Sequence, residues 1–298
     1  MKMISQLKNL KPSISTKMHP SLHGASGSAR RKIMMIEAFY HLKKLPFQKD
    51  LKHEDLFMTE AVVELENRLE HIKQSRGIML ITGMPGTGKT INIRAFVNKL
   101  NPNLYKPFYI PLSTVNPMEF YSQLCFYLTK ETFWRKFQLF RAIQKGIKDQ
   151  VANHKKIPII IFDEAHLLKN ENFYELQIIT NFDMDSIDPC LVIIAGQTHL
   201  RERLLRPVHQ SFNQRIALKF NLPPLSKKQT PSYIDHQLHL AGKTEPVFNE
   251  NAMNALHQNA MGIPRVINTL ALKTMTIGAI EKKEILTEEE VYRASKEL

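Results

Sequence analysis

The chain has 298 residues, 43% of them hydrophobic, with 41 Lys+Arg against 28 Asp+Glu and a formal net charge of +13. That apolar content supports one large domain, or a core with a small second domain, and excludes a disordered chain. No apolar run approaches ~20 residues and no apolar segment follows the N-terminal lysines, so a membrane span and a secretory leader are not expected. Cys125 and Cys190 lack metal or redox spacing and read as core thiols, and a soluble cytoplasmic protein is expected. The surplus charge suggests a polyanionic partner, and charge alone does not separate nucleic acid from an acidic membrane surface.

Residues 1–32 form a basic extension. Lys2, Lys8, Lys11, Lys17, Arg30, Arg31 and Lys32 are its charges, with no acid before Glu37. Serines, prolines and Gly24 interrupt any periodicity, so the segment reads as solvated, or as an arm for phosphate or a partner protein. From Ile36 an aromatic stretch follows, with Phe39, Tyr40, Pro46 and Phe47. Its rings suit either ordinary core packing or contact with a base. A helix is predicted from Thr59 to Lys73, with apolar Val62, Leu65, Leu69 and Ile72 and a cap at Thr59.

Gly77 to Thr82 reads as a buried parallel strand, and Ile91 to Leu100 has helical apolar spacing. Between them lies Gly83-Met84-Pro85-Gly86-Thr87-Gly88-Lys89-Thr90, which satisfies G-x-x-x-x-G-K-[ST] at every fixed position. The glycines let the loop turn its N–H groups inward, and the helix N-terminus attracts an anion. Lys89 is placed for β- and γ-phosphates and Thr90 for Mg²⁺; this is a nucleotide site.

A second strand is predicted over Tyr105 to Leu112, a turn over Ser113 to Pro117 and a helix over Met118 to Leu128. Between Asn103 and Lys156 nine basic residues face three acidic ones, with Phe133, Trp134, Phe137 and Phe140 interleaved. Lys130, Arg135, Lys136, Arg141, Lys145 and Lys148 are the candidate contacts to a nucleic-acid phosphate backbone. The alternative is an amphipathic helix whose solvated face is basic.

Ile157 to Phe162 is an apolar strand that delivers Asp163 and Glu164 to the carboxyl edge of a sheet, where ligands bind. Asp163 is the second candidate for Mg²⁺ and Glu164 the candidate general base. Leu191 to Thr198 is another buried strand, and Gln197 at its end is placed to orient water. Ile216 to Leu222 is the fifth. Arg215, just before it, is expected to be exposed near a subunit boundary, as an arginine acting in trans would be. Spacing alone does not separate Arg215 from Arg206. After Pro223-Pro224 the chain reads as four helices, Ser226 to Leu240, Asn249 to Asn259, Pro264 to Ile280 and Thr287 to Lys296, with caps at Ser226 and Thr287.

Together these motifs resemble the AAA+ ATPases, and more narrowly their ExeA/TniB/TnsC-like branch. The residues that carry the resemblance are Phe39 to Leu42 with Pro46-Phe47, Gly83 to Thr90, Asp163 to His166, Ile194 to Gln197, Gln214 to Ile216, Leu222 to Leu225 and Gly262 to Asn268. The resemblance implies an α/β P-loop core with a parallel five-stranded sheet over 33–222 and a helical lid over 223–298. It also implies ATP and Mg²⁺, hydrolysis that is slow until subunits assemble, and the roles of Gln197 as first sensor, Arg215 as trans-acting arginine and Arg265 as second sensor. Phosphate contacts are implied for Gly83, Pro85, Gly86, Thr87, Gly88, Lys89, Thr90 and Asp163. Members of the branch include transposition regulators that polymerise on duplex DNA as rings or filaments and work with a transposase and a targeting protein. They also include a secretion ATPase with an added membrane helix and peptidoglycan-binding region. Here the sequence stops after the lid, and the basic charge favours the transposition side, with no membrane partner expected. A secretion adaptor and an initiator-like loader are the other readings. Asp163 to His166 also spells a helicase box, but a 76-residue helical region is not a second RecA-like domain.

Overall fold

Five strands, β1 (Gly77–Thr82), β2 (Tyr105–Ile110), β3 (Ile157–Phe162), β4 (Leu191–Gly196) and β5 (Ile216–Asn221), form one sheet in the order β2-β3-β4-β1-β5. Every pairing is parallel, and Phe162, Ile194 and Leu80 stand level across the sheet. The expected parallel five-stranded sheet is therefore present. The computed structural model describes residues 34–48, 51–111 and 114–297. The basic extension over 1–32, the expected strand end at Leu112, the turn residue Ser113 and the terminal Leu298 lie outside the described residues.

The central strands β1, β3 and β4 are almost wholly apolar because both faces are covered. Ile78, Leu80, Ile160, Phe162, Val192 and Ile194 point to one face. That face is packed by α3 (Pro117–Thr129), α4 (Lys136–Ala152), α5 (Asn170–Ile179), α6 (Thr198–Leu204) and α7 (Gln210–Gln214). Met79, Ile81, Ile159, Ile161, Leu191 and Ile193 point to the other, under α1 (Glu60–Ser75) and α2 (Lys89–Lys99). In α1 the stripe Leu65, Leu69 and Ile72 is fully buried, each side chain contributing about 2 kcal/mol. Thr59 caps that helix by accepting from the Val62 N–H at 3.2 Å.

The C-terminal region is helical, with α8 (Gln229–Leu240), α9 (Glu250–Ala260), α10 (Pro264–Glu281) and α11 (Glu288–Ser295). Thr287 and Glu290 form the predicted capping box of α11. Ser226 accepts from the Gln229 N–H at 3.3 Å, and the Gln229 side chain accepts from the Ser226 N–H at 2.9 Å. Ile36, Tyr40 and Phe47, which the sequence groups with the α/β core, pack into this helical cluster with Ile234, Leu238 and Leu286. The Lys43 N–H donates to the Ala241 carbonyl at 2.8 Å and the Tyr40 hydroxyl to the Lys283 carbonyl at 3.2 Å. Those rings are core residues.

Candidate nucleotide site

The site lies where β1, β3 and β4 end. Helix α2 begins at Lys89, two residues before the sequence expectation, so Lys89 and Thr90 occupy its first turn. Gly88 makes this possible: it caps the helix with φ 104°, in the left-handed region open to glycine. The Thr87 hydroxyl donates to the Met84 carbonyl at 2.9 Å and closes the loop on itself. Lys89 is 6% exposed, and its ammonium donates to the carbonyls of Gly83 at 2.9 Å and Met84 at 3.0 Å. Burial lowers the Lys89 pKa, and the Arg265 charge lowers it further, while Glu164 and Asp163 oppose the shift. A lysine held on weak backbone acceptors, beside a second cation, is poised for a stronger anionic partner.

Asp163 follows β3 directly and is buried. Its Oδ2 accepts from the Thr90 hydroxyl at 2.8 Å, and its Oδ1 accepts from the Glu164 N–H at 2.9 Å. Hydroxyl and carboxylate oxygens so placed fit the hard, water-rich coordination of Mg²⁺, which needs few protein ligands. Glu164 has φ 51° and ψ 33°, a strained conformation for a non-glycine residue at a functional position. Its side chain is 54% exposed. Gln197 ends β4 as the half-buried residue before α6.

The lid closes one side of the loop. The Arg265 N–H, in the first turn of α10, donates to the Gly86 carbonyl at 3.2 Å. A Cβ on Gly86 would stand 2.8 Å from the Arg265 Cβ. Gly83, Pro85, Gly86, Thr87, Gly88, Lys89, Thr90, Asp163, Glu164, Gln197 and Arg265 thus come from four segments to one edge of the sheet.

Arg215 is not among them. It precedes β5, so it lies at the opposite edge, a strand length of roughly 20 Å away. It is not the exposed residue expected: its side chain is 17% exposed, ion-paired with Asp185, and donates to the Gln177 carbonyl at 2.8 Å. Arg206 is exposed. Spacing failed here because Asp185 and Gln177 lie in another segment.

The basic hairpin of α3 and α4 is also corrected in part. Lys136 pairs with Glu175 at 2.6 Å and Lys148 with Asp183 at 3.1 Å, acids outside the segment that the sequence balance counted. Lys130 lies over the rings of Phe126 and Tyr127. Arg135, Arg141 and Lys145 are exposed, and Trp134 between the helices is 87% exposed.

Three further residues, Tyr109 and Arg203 without a motif signal and His166 as the last of the Asp163 to His166 motif, join the site. The Tyr109 hydroxyl, on β2, donates to Asp163 Oδ2 at 3.4 Å. Burial raises the Tyr109 pKa, and the Asp163 charge and hydrogen bond add to it. Arg203 and His166 fix the chain after Glu164, through donation from Arg203 to the carbonyls of His166 at 3.0 Å and Leu168 at 2.8 Å. Tyr109 was recoverable from strand parity and His166 stood in the Asp163 to His166 motif; Arg203 gave no signal.

The family described as AAA domain matches residues 72–204. General secretion pathway protein A of Aeromonas hydrophila is 28% identical over 239 residues, covering 79% of this chain and 43% of that protein. The chain therefore spans less than half the length of that curated relative. Among solved structures, Drosophila ORC bound to DNA superposes with TM-score 0.61 at 19% identity, over 96% of this chain and 70% of that one. Cdc6p from Pyrobaculum aerophilum gives 0.62 at 15% identity, over 88% and 70%. The Aeropyrum pernix ORC1 protein in complex with DNA gives 0.59 at 18% identity, over 90% and 69%. The fold is that of the AAA+ P-loop NTPases, with the helical C-terminal region present.

Proposed function

We propose that this AAA+ chain is an ATP-hydrolysing regulator of DNA transposition that assembles with copies of itself on duplex DNA and recruits or activates a transposase. The observation that carries the reading is the α3–α4 hairpin, which exposes Arg135, Arg141 and Lys145 together with an 87% exposed Trp134 on the same α/β layer as the nucleotide site. Exposed cations beside an aromatic suit a phosphate backbone and its bases. Two of the superposable structures are described with DNA, which supports a duplex partner.

In this reading Lys89 leaves the carbonyls of Gly83 and Met84 for the β- and γ-phosphates of ATP. Thr90 and Asp163 hold Mg²⁺, which when bound neutralises phosphate oxygens. Glu164 takes the proton of the attacking water, Gln197 orients that water, and Arg265 contacts phosphate from the lid. Arg215 faces away from its own site and serves a neighbour's, so hydrolysis waits for assembly and then dismantles it. Glu164→Gln is accordingly expected to retain ATP and to hold the DNA-bound polymer.

The test is negative-stain imaging of the protein with a non-hydrolysable ATP analogue, with and without random duplex DNA. Rings or filaments that need both ligands support the reading. Assemblies indifferent to DNA would favour the second one, a nucleotide-gated adaptor of a secretion or membrane assembly, which the 28% identity to General secretion pathway protein A supports. Among the described residues no helix is long and apolar enough to cross a membrane.

A further inference from the structure

His166 stands two residues beyond Glu164 with its side chain 8% exposed. Its Nδ1 is buried and has no hydrogen-bond partner, an arrangement that costs about 1–3 kcal/mol unless something offsets it. The nearest acceptor is the Glu164 carboxylate, with Oε2 at 3.4 Å. At that separation the two groups are not aligned as a hydrogen bond, and a small rotation of the exposed carboxylate brings them into line. Burial holds the His166 pKa below its ordinary value against the opposing Glu164 charge, and that carboxylate is the group Nδ1 faces.

The ring is fixed from the far side by α6. His199, in its first turn, meets His166 edge-on with centroids 5.2 Å apart and planes at 90°. Arg203 grips the carbonyls of His166 and Leu168 and lies 5.0 Å from the centre of the Phe173 ring. The backbone admits no slack: a Cβ on Gly196 would sit 3.1 Å from the His166 nitrogen and 2.6 Å from Leu200 Cδ2. Helix α6 also carries the exposed Arg201 and leads to the exposed Arg206, so a surface that meets a polyanion or a neighbouring subunit is tied to the loop that bears Glu164.

We propose that His166 is a positioning residue that holds the Glu164 carboxylate through Nδ1–H, and that α6, through Arg203 and His199, sets where His166 stands. The proposal rests on the reading of Glu164 as general base. It separates hydrolysis from nucleotide binding, because no atom of His166, His199 or Arg203 belongs to the phosphate loop.

The experiment is steady-state ATPase of the full chain on duplex DNA, with affinity for a fluorescent ATP analogue and melting temperature measured on the same samples. His166→Leu keeps the ring's bulk and removes the donor; His166→Asn keeps a donor near Nδ1. His166→Leu is expected to lower kcat roughly tenfold or more, the scale of a misplaced base, with nucleotide affinity within about twofold. His166→Asn is expected to restore most of that rate. Arg203→Met, which keeps the imidazole but releases the His166 and Leu168 carbonyls, is expected to lower kcat alone. Unchanged kcat in His166→Leu overturns the proposal, as does an equal loss in the Leu and Asn variants, or a parallel loss of nucleotide affinity. Glu164→Gln is the separate control: if it hydrolyses ATP at the parent rate, the general-base reading beneath the proposal fails whatever His166 does.

Discussion

A trans-acting arginine must be free to leave its own subunit, and Arg215 is held by two partners within it. Asp185 supplies an ion pair and Gln177 a carbonyl acceptor. Asp185 is 56% exposed, so its pairing is worth about 0–1 kcal/mol. That is small enough to surrender when a stronger anion, a neighbour's phosphate, is offered. Asp185→Asn is therefore expected to raise DNA-stimulated ATPase by at most a few-fold, and Arg215→Ala to abolish the stimulation, both read by phosphate release. A lower rate in Asp185→Asn would show that the pair holds Arg215 in its working position. Glu164, Lys89 and Thr90 were legible in the sequence because a phosphate site demands particular residue types at fixed spacing. Asp185 and Arg203 were not, nor were the contacts of His166 with α6, since these join segments some 30 to 40 residues apart whose approach only the folded sheet decides.

Between elements, the lid meets the loop at Gly86, and Gly262 closes the lid on its own Leu225. Gly86 has φ 86° and leaves no room beside Arg265 and Ile263; Gly262 has φ 70°, and a Cβ there would stand 2.0 Å from the Leu225 carbonyl oxygen. An alanine at position 86 strains the backbone by about 1–2 kcal/mol and drives α10 from the loop. Gly86→Ala is expected to weaken binding of a fluorescent ATP analogue by roughly tenfold, the equivalent of that strain, with less effect on thermal stability; unchanged affinity would show that the contact does not serve the nucleotide. The lid also carries its own pH dependence. Burial would raise the Glu290 pKa, but Lys283 and the Thr287 donors pull it from 4.5 to about 2. A depressed carboxyl stabilises the fold above its unfolded value and loses that contribution as pH falls from about 4.5 towards 2. Glu290→Ala is expected to cost about 2 kcal/mol near neutrality and to flatten the acid limb of a circular-dichroism titration; an acid limb like the parent's would count against this role. The capping boxes and strand boundaries behind these elements were readable as local patterns. The packing of Ile36, Tyr40 and Phe47 was not: a run of apolar residues announces burial without saying against which element.

For the molecule as a whole, the question is where the surplus of +13 resides. The helical region from Pro223 onward has nine basic and nine acidic residues, and seven basic residues lie in the first 32. The described surplus therefore sits on the α/β layer, and folding sorts it further. Glu175 and Asp183 already neutralise Lys136 and Lys148, while Arg135, Arg141 and Lys145 of the same hairpin are exposed, as is Trp134. A cation that binds phosphate releases counterions, so each such contact contributes about 0.9 to the slope of log K against log salt. Removing Arg141 and Lys145 together is expected to reduce that slope by about 2, because both charges were available to the duplex. Removing Lys136 and Lys148 together is expected to reduce it by less, because each must first give up an acid. Fluorescence anisotropy of labelled random duplex across a salt titration, with ATP analogue present, reads both changes. Equal slopes in the two double variants would show that the internal acids do not tune the surface, and slopes equal to the parent's would move the duplex away from this hairpin.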